Sequence, residues 1–322
     1  MYAGIDLGGT NIAVGLTDLT GTLLKKTSVP LGSAKADPSM AADKMAEALK
    51  SLGGELEAVG IGSPGIVDPE SGRVVFASNI AFSDYPLVSE MEKRLGKKCV
   101  LINDGNAAAL AECRLGAAKY YKNVVMMTLG TGVGGGIIID RKVYTGSLFG
   151  AGEVGHMVIE KGGRKCACGR CGCFEQYASA TGLVKTSRMI AEKYPDSLLA
   201  KEEINAMTAF RLAREGDAAS REAVCEFIGD LAEGTANIIT LFSPDAVVIG
   251  GGVSNEGEPL FSPLREKVRE ILPGDKTPII RALLGSDAGI IGAALAAMCN
   301  RAGLCEASAV VRKLRRHLIP PE

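Results

Sequence analysis

The chain has 322 residues, of which 47% are apolar, and a formal net charge of −1. This length and apolar content suffice for two lobes with cores of their own, so the sequence predicts a globular protein. The near-zero charge gives no broad electropositive field, and a 5% aromatic share without tryptophan leaves little for base stacking. Nucleic acid is therefore not expected as a partner.

The first residues, "MYAGIDLGGTN", contain neither a basic segment nor a long apolar run. A signal peptide and a membrane-spanning helix are therefore not expected, and the sequence indicates a cytoplasmic protein without a membrane partner. The 41 glycines are about twice the usual share. Such an abundance indicates backbone turns with positive φ or a close approach to a ligand.

Two distant segments, 2–18 and 124–140, repeat one pattern: a strand, a Gly/Thr turn and a second strand. The repeat predicts two related lobes that each begin with a β-hairpin. Strands and helices alternate between the two hairpins, which indicates an α/β sheet. The predicted elements are a helix near 40–51, a strand over 58–65, a helix near 87–95, a strand over 98–104 and a helix that begins at Asn106.

The chain after the second hairpin is rich in helical patterns, including a long periodic stretch over about 217–240. A strand over 245–252 and a helix over 289–303 follow. The basic run in "VRKLRRHLIPP" predicts the solvated face of a closing helix.

Three glycine-rich stretches follow predicted strands. "GTGVGG" (130–135) has the spacing of the dinucleotide fingerprint, but the apolar "IIID" behind it indicates a strand instead of the required helix. A turn between strands fits better, with its free amides available to phosphate oxygens. "DLGGTN" (6–11) adds Asp6, which suits Mg²⁺, and "GGGVS" (250–254) suits the adenosine end of a nucleotide. The three stretches together predict a nucleotide cleft.

The stretch "INDGNAAALAE" (102–112) ends a predicted strand on Asn103 and Asp104 and enters an alanine-rich helix. Helix capping by Asp104 or Asn106 is one interpretation. Catalysis is the other and is favoured here, because ligands bind at the carboxyl ends of strands in α/β sheets. The helix start is also expected to favour the ionised form of Asp104.

The segment "CACGRCGCFE" (166–175) has four cysteines in eight positions and follows "EVGH" (153–156). In a reducing cytoplasm this density favours a metal over disulfides, and thiolates with an imidazole suit Zn²⁺. His156, Cys166, Cys168 and Cys173 would complete a tetrahedral structural site, with Cys171 left over. An all-cysteine site and an iron–sulfur cluster are the alternatives, and the spacing alone does not decide between them.

The motifs "DLGGTN", "LGTGVGGG", "GEVGH" and "CACGRCGCFE", in this order over nearly the whole chain, resemble the ROK sugar kinases and most of all bacterial ROK glucokinases. The resemblance implies an actin/hexokinase-like (ribonuclease H-like) α/β fold with two lobes and an interlobe cleft. The smaller lobe is expected over 1–117, with a final helix over about 303–322 packed back on it. The larger lobe, with the zinc-binding loop, is expected over 118–302.

The implied activity is ATP-dependent phosphorylation of a hexose at its 6-hydroxyl, glucose first, with Asp104 as the general base. The resemblance places the zinc ion on His156, Cys166, Cys168 and Cys173, and Cys171 occupies a variable position. It implies that the sugar contacts Gly65, Asn79, Asn103, Asp104, Glu153, His156 and Glu175, although "AFSDYP" after Asn79 departs from the family. It implies that MgATP contacts Asp6, Gly8, Gly9, Thr10, Asn11, Gly130, Thr131, Gly132, Gly251 and Gly252.

A structural zinc ion has a physical use in such a site. It would fix His156 through one ring nitrogen, leave the other facing the sugar, and position Glu175 just after the last ligand. Family members commonly form homodimers or homotetramers, which is the expectation here.

Three alternatives stand beside a glucokinase. N-acetylmannosamine, fructose or another hexose could be the substrate. A sugar-sensing regulator is disfavoured, because "DLGGT" begins at residue 6 and leaves no room for a preceding helix-turn-helix segment. An actin-like ATPase with an iron–sulfur cluster is the third, and a brown colour of the purified protein would distinguish it.

Overall fold

A computed structural model describes residues 1–77 and 80–301. Its strands, in chain order, are β1 (Tyr2–Leu7), β2 (Asn11–Thr17), β3 (Leu23–Pro30), β4 (Ala58–Ser63), β5 (Ile66–Asp68), β6 (Arg73–Phe76), β7 (Ser83–Tyr85), β8 (Cys99–Asn103), β9 (Val124–Leu129), β10 (Val133–Ile139), β11 (Lys142–Val143), β12 (Ala246–Gly250) and β13 (Ile279–Arg281). Its helices are α1 (Pro38–Ser51), α2 (Leu87–Leu95), α3 (Asp104–Arg114), α4 (Glu175–Ala178), α5 (Ala180–Lys193), α6 (Leu198–Lys201), α7 (Ala206–Glu215), α8 (Ala218–Phe242), α9 (Glu258–Ile271) and α10 (Ala288–Arg301).

The chain divides into two compact units. Unit 1 contains residues 1–107 and the segment that begins at Gly289, and unit 2 contains Ala108–Ala288. The lobe limits of 1–117 and 118–302 stay predictions, and the predicted final helix over 303–322 lies outside the described residues.

Unit 1 is built on a five-stranded sheet in the order β3-β2-β1-β4-β8. β1 and β2 form the predicted antiparallel hairpin, whereas β1, β4 and β8 run parallel. Every residue of β4 is buried, as expected for the apolar run of a central parallel strand. Because parallel strands end at the same edge, the residues after β1, β4 and β8 meet there.

Helix α10 packs unusually close to this sheet. A Cβ atom on Gly60 of β4 would lie 1.7 Å from the Ala293 carbonyl oxygen, and one on Gly4 of β1 would lie 1.9 Å from that of Ile290. Only glycine allows the two backbones to approach this closely. The sheet therefore fixes where the first turn of α10 lies.

Unit 2 has a second five-stranded sheet, in the order β11-β10-β9-β12-β13. β9 and β10 form the second predicted hairpin, while β9, β12 and β13 run parallel. The long helix α8 packs against α5, α7 and α9 and buries Phe227 and Leu231 in the core of the unit. Phe174, which follows the last cysteine of the cluster, is fully buried in the same core.

The predicted α/β organisation is confirmed, and the predicted helices and strands correspond to α1, β4, α2, β8, α8, β12 and α10. One start was wrong: α3 begins at Asp104, two residues before the predicted Asn106. Asn103 Oδ1 accepts the Asn106 amide at 3.0 Å, so Asn103 does the capping and the helix begins directly behind it. Strand β3 and the small sheet β5-β6-β7 were not predicted. No helix among the described residues has the length and apolar character that a membrane span needs.

Candidate active site and metal centre

Two carboxylates lie at the strand-end edge of the unit 1 sheet. Asp6 is the next-to-last residue of β1 and lies opposite Gly62 of β4, and Asn103 ends β8 opposite Ser63. Asp104 follows directly at the start of α3. The side chains of Asp6 and Asp104 are close enough to interact electrostatically, and both residues are partly buried. The two predicted carboxylates therefore belong to one site within unit 1.

The electrostatics of this pair favour protonation. Burial raises the pKa of Asp6 to about 7, and the charge of Asp104 adds to the effect. Burial also raises the pKa of Asp104, although the Gly105 amide, 2.8 Å from its Oδ1, opposes the shift. The amides of the helix start do favour the ionised form of Asp104, as expected, but the loss of solvation outweighs them and the net shift of its pKa is upward.

The first turn of α10 lies against Asp6. A Cβ atom on Gly289 would lie 2.3 Å from Asp6 Oδ2. Sequence reasoning missed Gly289, because nothing in "DAGIIGAALAA" marks one glycine as the neighbour of a residue near the other end of the chain.

Two of the predicted sugar-binding residues of unit 1 contact each other. Asn103 Nδ2 donates a hydrogen bond to the Gly65 carbonyl oxygen at 3.1 Å. Gly65 has a φ of 84°, and a Cβ atom there would lie 2.2 Å from the Phe76 carbonyl oxygen, so this turn requires glycine. The predicted Asn79 lies outside the described residues.

The predicted nucleotide turn of unit 1 is the connection between β1 and β2. The Gly8 amide donates to the Asn11 carbonyl oxygen at 2.9 Å and closes the turn. Gly9 is partly buried, and Thr10 and Asn11 are exposed. The Thr10 carbonyl oxygen accepts the Leu31 amide at 2.8 Å, which ties the turn to the end of β3.

Unit 2 brings its two glycine turns together. The β9–β10 turn is closed by a 3.0 Å hydrogen bond from the Gly130 amide to the Gly132 carbonyl oxygen, and Thr131 at its tip is exposed. The turn after β12 contains Gly251 and Gly252. Gly251 has a φ of 83°, and a Cβ atom there would lie 2.4 Å from the carbonyl oxygen of Leu129, the residue before Gly130. The segments 130–132 and 251–252 are therefore neighbours.

His156, Cys166, Cys168 and Cys173 converge in unit 2. One ligand atom from each of the four lies within 4.8 Å of the others. Cys168 Sγ is 3.5 Å from Cys173 Sγ, and Cys166 Sγ is 3.7 Å from His156 Nδ1. Cys171 is exposed and is not one of the four.

These distances and donors fit a tetrahedral zinc ion. With Zn–S bonds of about 2.3 Å, two sulfurs of a tetrahedral site are about 3.8 Å apart. Burial raises the pKa of Cys173 to about 12 and also raises that of Cys166. A thiolate at either position therefore needs a compensating cation, which a metal ion supplies.

The predicted sugar ligands of unit 2 surround this cluster. His156 directs Nδ1 to the thiols, while its Nε2 lies 4.0 Å from Glu153 Oε2. Cys166 Sγ lies 3.3 Å from Glu175 Oε1. A Cβ atom on Gly132 would lie 2.6 Å from Glu175 Oε2, so this carboxylate borders the β9–β10 turn. The cluster, the three polar residues and a glycine turn thus form one site in unit 2.

Sequence reasoning also missed Arg164 and Tyr177, which join the cysteine segment to α4 and α5. The only local signal was an arginine near the cysteines, and such a residue is usually solvated.

Comparison with known proteins finds relatives that match most of the chain. The model of the ROK family matches residues 2–299. A glucokinase of Thermotoga maritima is 40% identical over 304 residues, which is 90% of this chain and 95% of that protein. An N-acetyl-D-glucosamine kinase of Salmonella gallinarum is 36% identical over 88% of this chain and 92% of that protein. The crystal structure of a ROK family glucokinase from Streptomyces griseus, in complex with glucose and AMPPNP, superposes with a TM-score of 0.81 at 36% identity and covers 92% of this chain and 98% of its own.

Proposed function

Because this chain belongs to the ROK family, we propose that it is an ATP-dependent hexokinase that phosphorylates the 6-hydroxyl of glucose. The observation that carries the proposal is 40% identity to a glucokinase over 90% of the chain. The structural likeness to a glucokinase bound to glucose and an ATP analogue supports the same substrates.

Asp104 is the proposed general base of unit 1. Phosphoryl transfer needs the sugar hydroxyl in line with the γ-phosphoryl group and a base that takes its proton as the new bond forms. Burial raises the pKa of Asp104 and so makes it a stronger base once ionised. Asn103 and Gly65, which are already hydrogen-bonded to each other, would bind neighbouring hydroxyls, and we propose Asn79 as a further contact.

Asp6 is the proposed magnesium residue. Burial and the neighbouring Asp104 raise its pKa to about 7, and the Mg²⁺ of MgATP would favour its ionised form. The turn of Gly8, Gly9, Thr10 and Asn11 in unit 1 would offer amides to the phosphates. In unit 2 we assign the same task to Gly130, Thr131 and Gly132, and the adenosine end to Gly251 and Gly252.

Glu153, His156 and Glu175 are the proposed sugar ligands of unit 2. Carboxylates can accept hydrogen bonds from hydroxyls, and an imidazole that binds a metal through one nitrogen can donate a hydrogen bond to a hydroxyl from the other. A site built on such bonds rejects analogues that lack them. We propose a structural zinc ion on His156, Cys166, Cys168 and Cys173, with Cys171 outside its coordination. Such an ion would hold His156 through Nδ1 and leave Nε2 to the substrate.

A substrate panel with coupled detection of ADP tests the proposal. Glucose, mannose, fructose, N-acetylglucosamine and N-acetylmannosamine are each compared at saturating ATP, and kcat/KM is expected to be highest for glucose. N-acetylglucosamine is the second candidate, since a kinase for this sugar is 36% identical. Absence of ADP formation with all five sugars would overturn the kinase assignment. A homodimer or homotetramer is the proposed assembly, which analytical ultracentrifugation would measure.

A further inference from the structure

The Arg164 side chain joins the cysteine segment to the helices that follow it. Its Nη1 donates to the Gln176 carbonyl oxygen at 2.9 Å and lies 3.4 Å from that of Gly182, and its Nη2 donates to Thr186 Oγ1 at 2.9 Å. The guanidinium also stacks on the Tyr177 ring, 4.6 Å from its centroid. One side chain thus contacts both α4 and α5.

The backbone of Arg164 makes two further links. Its amide donates to the Tyr177 hydroxyl at 2.7 Å, and its carbonyl oxygen accepts the Gly172 amide at 2.8 Å. A Cβ atom on Gly163 would lie 2.0 Å from the Tyr177 hydroxyl, so glycine at this position makes room for the ring. Arg164 therefore connects the chain before the first cysteine both to Gly172, which lies between the last two cysteines, and to Tyr177 of α4.

These links matter because Glu175 lies on a helix that is too short to be stable without contacts to the rest of the unit. α4 has four residues, Glu175–Ala178, and a single helical turn is not stable alone. A metal ion on the proposed ligands would hold the chain on one side of Glu175, through Cys173. Arg164 holds the other side, through the carbonyl of the next residue, Gln176.

The surroundings of Arg164 favour a cation. Burial raises the pKa of Asp230 on α8, and the charge of Arg164 opposes this shift, so this acid lies within electrostatic reach of the guanidinium. Thr186, which accepts from the guanidinium, is buried. A buried acceptor opposite a stacked guanidinium fixes the side chain in one geometry, which a flexible lysine would not reproduce.

We propose that Arg164 is a positioning residue for Glu175, and that it sets the orientation of α4 for sugar binding independently of the metal cluster. This inference rests on the proposed function, because it takes Glu175 as a sugar ligand. A carboxylate displaced by about 1 Å loses much of its contribution to recognition.

The test compares Arg164→Lys and Arg164→Ala with the wild type and with Arg188→Lys, an exposed arginine of α5. In Arg164→Lys we expect a KM for glucose raised about tenfold, a KM for ATP within about twofold, and an unchanged zinc content. Arg164→Ala should raise the KM for glucose further. Arg188→Lys should behave as the wild type.

Hydrogen exchange gives a readout that does not depend on catalysis. The amides of 174–183 should exchange faster in Arg164→Lys than in the wild type, because α4 loses its second anchor. Equal exchange would overturn the inference, and so would an unchanged KM for glucose or a loss of zinc in Arg164→Lys. A wild-type protein that phosphorylates no hexose would overturn the proposed function itself, which these outcomes distinguish.

Discussion

The strand-end carboxylates of unit 1 and the cysteine segment of unit 2 are held by different kinds of structure. Asp6 and Asp104 flank the buried strand β4, in a sheet whose spacing is set by backbone hydrogen bonds. Glu175 and His156 lie on a one-turn helix and a short 3₁₀ turn, beside the cluster of metal-ligating side chains and the hydrogen bonds of Arg164. Regular structure can fix a carboxylate through backbone hydrogen bonds alone, whereas an irregular loop needs cross-links.

Removal of one basic oxygen in unit 1 should have the largest effect. Asp104→Asn keeps the shape of the side chain, so we expect turnover to fall by about a hundredfold or more, with a much smaller change in glucose affinity. Coupled kinetics and calorimetric glucose titration separate the two quantities. Asp43→Asn, an exposed carboxylate in unit 1, is the matched control. Turnover of Asp104→Asn within about threefold of the wild type would remove Asp104 from the role of base.

Removal of one sulfur in unit 2 should act through the metal. We expect Cys166→Ser to lose zinc and to lose sugar binding or activity by about 10- to 100-fold. Cys171→Ser changes an exposed thiol outside the cluster and should retain both. Metal analysis measures the zinc content of the two variants. Loss of zinc in Cys171→Ser with retention in Cys166→Ser would show that the proposed ligand set is wrong.

Overpacking of the unit 1 sheet tests its rigidity. Gly60→Ala would place a methyl group 1.7 Å from the Ala293 carbonyl oxygen, so α10 has to shift, at a cost of about 1–3 kcal/mol of stability. Gly229→Ala in α8 is the control, since nothing lies within 4 Å of the added atom. It should stabilise the helix by about 0.5–1 kcal/mol. Denaturant unfolding measures the change in stability of both variants. A change of the same sign in the two would contradict the packing argument.

The smallest effect concerns a carboxyl near the cysteine segment. Burial raises the pKa of Asp230 to about 6, well above the value of about 3.9 for an unfolded chain. The contribution of this carboxyl to the free energy of unfolding is therefore fully present below about pH 4, where it is protonated, and is lost as the pH rises through about 6. Asp230→Asn should stabilise the protein by about 1 kcal/mol at pH 8, after allowance for solvent screening, and by nothing at pH 4.

Thermal unfolding of this variant across pH 4–8 measures the difference. A destabilised Asp230→Asn at pH 8 would show that attraction to Arg164 outweighs the burial of the carboxyl.

The sequence predicted the features that depend on local patterns. Both hairpins and the helices α1, α2, α8 and α10 follow from periodicity and glycine turns. The resemblance to the ROK sugar kinases pointed to the four candidate ligands, and the structure places their ligand atoms within 4.8 Å of one another. The start of α3 was missed by two residues, because capping by Asn103 competes with capping by Asp104 and only the folded hydrogen bonds decide.

The sequence was therefore sufficient to show which residues can bind a metal, accept protons or form turns. It was also sufficient to show to which family the chain belongs. Only the folded structure shows which residues far apart in the sequence are neighbours in space. Gly289 lies against Asp6, Arg164 supports Glu175, and burial shifts the pKa of Asp104 upward against the local helix start. Burial and long-range contacts arise when distant segments pack together, so no pattern within a single segment records them.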